Sequence, residues 1–350
     1  MLSSADESLT VHDPALPGLG LLLDDAALAA WLGRRLGTDL DVSPRYLRYK
    51  HATSCVLAAE VRSGSGRWPC LFTAHAPDDS TKLAKTVDRA PPGSVLGVDF
   101  GRGLLATTPA ADRDLPALAL LEEPDARRRL LRGLVGDQHG LRRASVETLR
   151  YKPQRRWVGL VTFPRGMRVV LRVYPPATLP GVAAALTAWS GGPPAHPRVL
   201  GSSTERGVAA LEWVAGTILT CGEEADFAAA GALLGRLHTR DDVVLAERVR
   251  WSETGAVHAA ADHLGVLLPD QADEVSDLAQ VVDARLRALS RCRRPVHGDF
   301  SADQVVVGAD GQTTLIDLDA SRPGDPAEDL ACAAAALGRD VVLGRLSPAT

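Results

Sequence analysis

One short pattern occurs twice in this chain. Leu47-Arg48-Tyr49-Lys50 recurs as Leu149-Arg150-Tyr151-Lys152, Val95-Leu96-Gly97 as Val199-Leu200-Gly201, and Arg102-Gly103 as Arg206-Gly207. The offsets are about 102 and 104 residues, with order and spacing both kept, and Pro91-Pro92 and Pro193-Pro194 fall near corresponding places. A sequence that repeats at a fixed period builds one supersecondary unit more than once. Each unit reads as strand, hairpin, strand, helix and two further strands. In the second copy, 147–151 and 157–163 form a hairpin around Pro153-Gln154-Arg155-Arg156, and 167–174 is a β-rich run. A short Ala-rich helix over 180–189 is closed by Gly191-Gly192, and 208–214 is a further strand ended by Gly216. In the first copy, 45–60 and 69–74 alternate as strands do. A helix over 24–36 precedes them, with Asp24 as its cap. Residues up to about Gly20 read as loose and polar.

Composition narrows the class. The chain has 350 residues, 45% hydrophobic and 23% charged, with a formal net charge of −4. That balance excludes a wholly disordered chain and suits roughly two or three domains. The mild acidity argues against a surface that wraps nucleic acid. No run of about 18 apolar residues appears, so no membrane span is expected, and the first thirty residues have no basic start that would mark a signal peptide. The five cysteines are odd in number and widely spaced. They suit neither a disulfide framework nor a zinc knuckle, and a reducing cytoplasm is expected.

From Glu223 the pattern turns helical, with apolar residues at helical spacing over 227–238, 253–267 and 270–289. The chain therefore passes from β-rich to α-rich near residue 216, as a small lobe followed by a helical lobe.

The chemistry-bearing residues follow. Val296-His297-Gly298-Asp299-Phe300-Ser301 leads through Asp303-Gln304 into Val305-Val306-Val307; the turn 308–311 leads into Thr313-Thr314-Leu315-Ile316-Asp317-Leu318-Asp319; then comes Gly324-Asp325-Pro326-Ala327-Glu328-Asp329-Leu330-Ala331. The turn makes the two apolar strands antiparallel. A hairpin of this kind brings a loop carboxylate, Asp299, and a strand-end carboxylate, Asp317, to one place. Two carboxylates and an amide oxygen there suit a magnesium-bound phosphate and a hydroxyl nucleophile.

These residues resemble the aminoglycoside phosphotransferase and choline kinase-like family, whose pattern is H-G-D-x-x-x-x-N, then I-D-x-D or I-D-x-E, then G-D-P-x-x-D-L-A. Leu211-Glu212-Trp213-Val214-Ala215-Gly216 resembles the family's hinge strand and Leu234-Gly235-Arg236-Leu237-His238 its first large-lobe helix, so the resemblance covers about 143–331. It implies an α+β, protein kinase-like fold of two lobes, with a β-rich accessory domain at 1–145, a small lobe at 146–215 and a helical lobe at 216–350. The implied reaction is ATP- and magnesium-dependent phosphorylation of a small-molecule hydroxyl, a peptide hydroxyl being open as well. Asp299 would be the catalytic base, with His297 bracing its loop and Asp329 doing so from the following helix. Asp317 would be the main magnesium ligand, Gln304 would sit at the second metal site, and Asp319 would bind metal or position the loop. Arg172 would meet the phosphates, Lys152 and Arg155 would meet them or form a solvated hairpin turn, and the backbone at Glu212, Trp213 and Val214 would meet the adenine.

The chain departs from the family in four places. Gln304 replaces Asn, which moves the amide by about 1.5 Å. Arg172 stands where the family has a Lys, and the two are not interchangeable. The helix after it has no acidic residue to pair with. Only 19 residues follow Ala331, where the family continues with further helices. These departures keep a second reading open, a pseudokinase that binds nucleotide or peptide without turnover. The first copy has Thr73 where the second has Arg172, and no catalytic hairpin follows it, so it reads as an accessory lobe.

Overall fold

A computed structural model of the chain describes residues 2–64, 66–76, 80–189, 192, 194–219, 224–243, 245, 253–289 and 292–346. Gly191, Pro193, Cys221 and Glu223 lie outside the described residues. The fold is α+β, as expected, and β-rich toward its N-terminus. Two compact units divide it: Met1–Ala177 with Gly201–Ala210, and Thr178–Leu200 with Leu211–Thr350. Among the described residues no helix is long and apolar enough to cross a membrane.

The strands of the repeat begin in the first unit. The chain runs α1 (Ser4–His12), α2 (Leu19–Leu23), α3 (Asp25–Leu36), β1 (Asp41–Lys50), β2 (Ser54–Ser63), β3 (Gly66–His75), α4 (Ser80–Arg89), β4 (Val95–Asp99) and β5 (Leu104–Thr107). It then runs α5 (Ala117–Glu122), α6 (Pro124–Val135), β6 (Ser145–Lys152), β7 (Arg156–Thr162), β8 (Arg168–Val173), α7 (Leu179–Ala188), β9 (Val199–Ser203) and β10 (Val208–Glu212). The two sheets have one topology, β1-β2-β3-β5-β4 and β6-β7-β8-β10-β9. Register confirms the duplication. Lys50 opposes Ser54 across one hairpin and Lys152 opposes Arg156 across the other. Thr73 lies opposite Val56 as Arg172 lies opposite Val158, so the correspondence of Thr73 with Arg172 holds.

The N-terminal residues are not loose. Ser3 and Asp6 cap α1 reciprocally, and Leu16, Leu19 and Leu22 are buried in the core of the first sheet. The duplicated unit therefore starts upstream of its sheet. Asp13-x-x-Leu16-Pro17-x-Leu19 is matched by Asp112-x-x-Leu115-Pro116-x-Leu118, and both leucine pairs are buried. A capped helix follows in each copy: the Asp24 carboxylate accepts from the Ala27 amide, and the Glu123 carboxylate from the Asp125 amide.

Each copy also closes its first hairpin with the same lock. One carboxylate oxygen of Asp13 accepts from the Tyr49 hydroxyl at 2.7 Å and the Ala52 amide at 2.9 Å. One carboxylate oxygen of Asp112 accepts from the Tyr151 hydroxyl at 2.9 Å and the Gln154 amide at 2.8 Å. Ala52 and Gln154 are both left-handed, with φ of 50° and 63°. Asp13 and Asp112 are fully buried, where a carboxylate is sustained only by donors of this kind. Burial raises the Asp112 carboxyl above its ordinary range, and burial, with the Asp112 charge, raises the Tyr151 hydroxyl. A second shared device is glycine. Gly103 and Gly207 have positive φ, and a β-carbon on either would collide with a backbone carbonyl, that of His75 or of Tyr174.

The second unit carries β11 (Thr217–Ile218), α8 (Glu224–His238), α9 (Glu253–Leu267), α10 (Ala272–Ala288), β12 (Arg294–Val296), β13 (Val305–Val307), β14 (Thr313–Leu315), β15 (Arg322–Gly324) and α11 (Ala327–Val342). The three helices expected from periodicity are present. The apolar stripe of α10 is not a core face along its length, since Leu278, Val281 and Leu289 are exposed. Strands β11, β13 and β14 form one small sheet, and β12 pairs with β15. The segment bearing α7 joins this unit through the Trp189 indole, which donates to the Ser321 hydroxyl at 2.9 Å, and through the Leu315 amide, which donates to the Ala195 carbonyl.

Candidate active site

Strands β13 and β14 pair antiparallel, with Val305 opposite Leu315 and Val307 opposite Thr313. The turn 308–311 closes them, and the Ile316 amide donates to the Gln304 carbonyl at 2.8 Å at the other end. This pairing brings Gln304 and Asp317 to one end of the hairpin. Asp317 is left-handed, with φ 66° and ψ 37°, and opens a single 3-10 turn, Leu318–Ala320. Asp is among the few side chains that tolerate this region, and the conformation costs on the order of 1 kcal/mol. Gln304 and Asp319 are buried.

The loop after β12 is held from inside. Asp329, in the first turn of α11, has a fully buried carboxylate. It accepts from the His297 amide at 2.7 Å, the Gly298 amide at 2.7 Å and the His238 imidazole at 2.9 Å. Three donors compensate a charge that burial alone would not tolerate. Gly298 has φ 85°, and a β-carbon there would strike the Arg322 guanidinium and the Ala320 carbonyl, so only glycine turns the chain so tightly. His297 is fully buried; its Nε2 lies 3.0 Å from the Ile316 carbonyl oxygen. A carbonyl can only accept, so Nε2 carries the proton. The ring also meets Phe300 edge to face at 5.8 Å. His297 thus ties the loop that bears Asp299 to the residue just before Asp317. Asp299 itself is exposed.

The structure therefore gathers Asp299, His297, Gln304, Asp317 and Asp319 around one hairpin in the second unit. Asp325 accepts from the Ala327 amide at the start of α11, and Asp303 accepts from the Ser301 hydroxyl. The other expected residues lie on strands of the second sheet or beside it. Lys152 ends β6 half-buried, Arg155 is exposed in the following turn, and Arg172 is buried on β8. Glu212 ends β10 and is gripped by Arg198 at 2.9 and 3.1 Å. The hydrogen bond from Arg198 holds its carboxyl below the usual range. Trp213 and Val214 follow, half-buried.

Asp317, Asp319 and Gln304 offer only oxygen donors, the chemistry a hard divalent cation takes. Among the described residues no group of three or more His, Cys, Asp or Glu is set to hold a metal. Magnesium is ordinarily held by one or two carboxylates together with water and substrate phosphates, so the donor set fits that ion. Sequence reasoning did not find the bond of His238 to Asp329. The two lie 91 residues apart, and no local spacing signals such a pair.

The sequence profile of a phosphotransferase enzyme family, APH, matches residues 151–346 and so begins inside the second repeat. No curated protein matches the chain. Similar solved structures include the ADP-bound aminoglycoside phosphotransferase APH(2'')-Ib, at 14% identity over 54% of this chain and 70% of that one, with a TM-score of 0.41. Choline kinase LicA from Streptococcus pneumoniae is similar at 15% identity over 58% of this chain and 72% of that one, with a TM-score of 0.40. A choline/ethanolamine kinase family protein from Mesorhizobium loti is similar at 20% identity over 63% of this chain and 68% of that one, with a TM-score of 0.42.

Proposed function

The chain belongs to the phosphotransferase enzyme family, and on that premise we propose that it transfers the γ-phosphoryl group of ATP to a hydroxyl group of a small molecule in the cytoplasm. The observation that carries this reading is the grip of Asp329 on the two amides before Asp299. A buried carboxylate holds the backbone of a loop whose own carboxylate faces solvent, as a residue that must meet a substrate does.

Asp299 orients the acceptor hydroxyl and takes its proton as the oxygen attacks the γ-phosphorus and the bond to the β-phosphate oxygen breaks. Asp317 and Asp319, with the Gln304 amide, would hold magnesium, which when bound supplies charge neutralisation on the phosphates. Arg172, Lys152 and Arg155 serve the phosphates, and the backbone at Glu212, Trp213 and Val214 meets the adenine. Arg172 on a buried strand gives a fixed, always protonated fork for phosphate oxygens.

Radiolabelled γ-phosphate transfer from ATP to pooled amino alcohols, sugars and aminoglycosides tests the reading. The wild type is expected to label an acceptor with magnesium present, and Asp299→Asn to lose about 10²–10⁴-fold in rate. Absence of transfer from a wild type that binds ATP supports the module without turnover; equal rates in both proteins contradict the role of Asp299.

A further inference from the structure

The two locks differ in one contact. In the first copy the left-handed turn residue is Ala52, whose side chain reaches nothing polar. In the second it is Gln154, and its side-chain oxygen accepts a hydrogen bond from the Arg48 guanidinium of the first copy. Gln154 is thus held twice, its amide by Asp112 and its side chain by Arg48. Arg48 belongs to the repeated Leu-Arg-Tyr-Lys pattern, and its counterpart is Arg150. The lock common to both copies is scaffold. The bond from Arg48 joins them.

A cleft of about 610 Å³ separates β6 from the first sheet, with Arg45, Trp68, Glu147, Arg150 and Lys152 among its lining residues. An ion pair across it, Arg67 with Glu147, is 3.8 Å long with both side chains more than half exposed, so it contributes little. The partly buried Arg48 bond at the hairpin's tip is charge-assisted and is the stronger of the two.

We propose that Arg48 is a positioning residue: the first copy, having no catalytic hairpin of its own, sets the β6–β7 turn of the second copy in the place from which that turn meets the nucleotide phosphates. This rests on the phosphotransferase reading above. The first copy then acts in cis as a support for a turn that has no run of glycines to let its amides wrap a phosphate. Loss of the bond frees the Gln154 side chain and the turn around it without touching Asp299 or Asp317.

The test compares wild type, Arg48→Ala, Arg48→Lys, Gln154→Ala and the Arg48→Ala/Gln154→Ala double variant. Kd for a non-hydrolysable ATP analogue is measured with magnesium, and amide hydrogen exchange across 145–162 is followed. Arg48→Ala is expected to raise Kd and KM for ATP about tenfold, with kcat little changed, and to speed exchange in the turn. Lys, which can still donate, is expected to restore most of the affinity. Gln154→Ala is expected to match Arg48→Ala, and the double variant to add nothing to either. Unchanged affinity in Arg48→Ala, or full additivity in the double variant, overturns the inference while leaving the phosphotransferase reading intact. A wild type that binds no nucleotide overturns both. Thermal melting of each variant separates a folding defect, which would lower kcat and melting temperature together, from the loss of affinity alone.

Discussion

The two copies of the repeat share a backbone plan and differ in what they carry. Both place a buried Asp before a capped helix, tie it to a Tyr hydroxyl and a left-handed turn amide, and close a sheet of one strand order. At one interior position of the third strand the first copy has Thr73 and the second has Arg172, both buried. At the hairpin tip the first has Ala52 and the second Gln154. The shared features have structural causes that hold in either copy: a buried carboxylate needs donors, and a chain that passes a carbonyl closely needs glycine. The differences fall where the second copy is expected to meet a phosphate. On the proposed reading, duplication has kept the scaffold and left the chemistry to one copy.

The sharpest way to break this comparison is to damage the shared scaffold in each copy separately. Gly103→Ala and Gly207→Ala both force a β-carbon onto a carbonyl at positive φ and are each expected to cost more than about 3 kcal/mol. Urea unfolding would show it, and a large loss in one copy alone would mean that the two are not equivalent in packing. Next in size is the lock. Asp112→Ala leaves the buried Tyr151 hydroxyl without its acceptor, for about 3 kcal/mol, and Asp13→Ala costs less, because the Tyr49 hydroxyl is half-buried and also meets His51 while the Ala52 amide is at the surface. Only Asp112→Ala is expected also to weaken nucleotide binding in calorimetry, because only its hairpin carries the turn proposed to face the phosphates.

A pH series sharpens the point. Burial raises the Asp112 carboxyl in the folded protein above its unfolded value. The folded state therefore holds that proton more tightly, and the stability this contributes is present below the unfolded value and lost as pH rises through the folded one. Asp112→Asn does not titrate. Its stability relative to wild type is expected to improve as pH climbs from the acid range toward neutrality, in unfolding curves taken at several pH values. The smallest effect is at the turn tips. Ala52→Gly relieves a left-handed alanine and is expected to stabilise by about 0.5 kcal/mol. Gln154→Gly is expected to show no such gain, because it also removes the acceptor for Arg48.

Much of this arrangement was legible in the chain, and the rest was hidden for physical reasons. The hairpin carrying His297, Asp299 and Asp317 is contiguous in sequence, so its apolar strands, its turn and its carboxylates could be read together. The repeat was legible through Leu-Arg-Tyr-Lys because strand register conserves spacing between the hairpin ends. The leading half of each copy was not, since its offset is 99 residues and not 102 or 104, the loops having changed length. The locks of Asp13 and Asp112 were hidden because their tyrosine partners lie 36 and 39 residues on, a distance no periodicity reports. The early polar stretch read as loose, although Ser3 and Asp6 form a capping pair. The bond of His238 to Asp329 was hidden because it exists only once α8 and α11 are folded together.

Calorimetric titration with a non-hydrolysable ATP analogue, with and without magnesium, on the wild type and on Asp317→Ala, tests the central claim most directly. The account predicts magnesium-dependent binding by the wild type that Asp317→Ala loses. Binding that ignores both magnesium and Asp317, or no binding by the wild type at all, would contradict it.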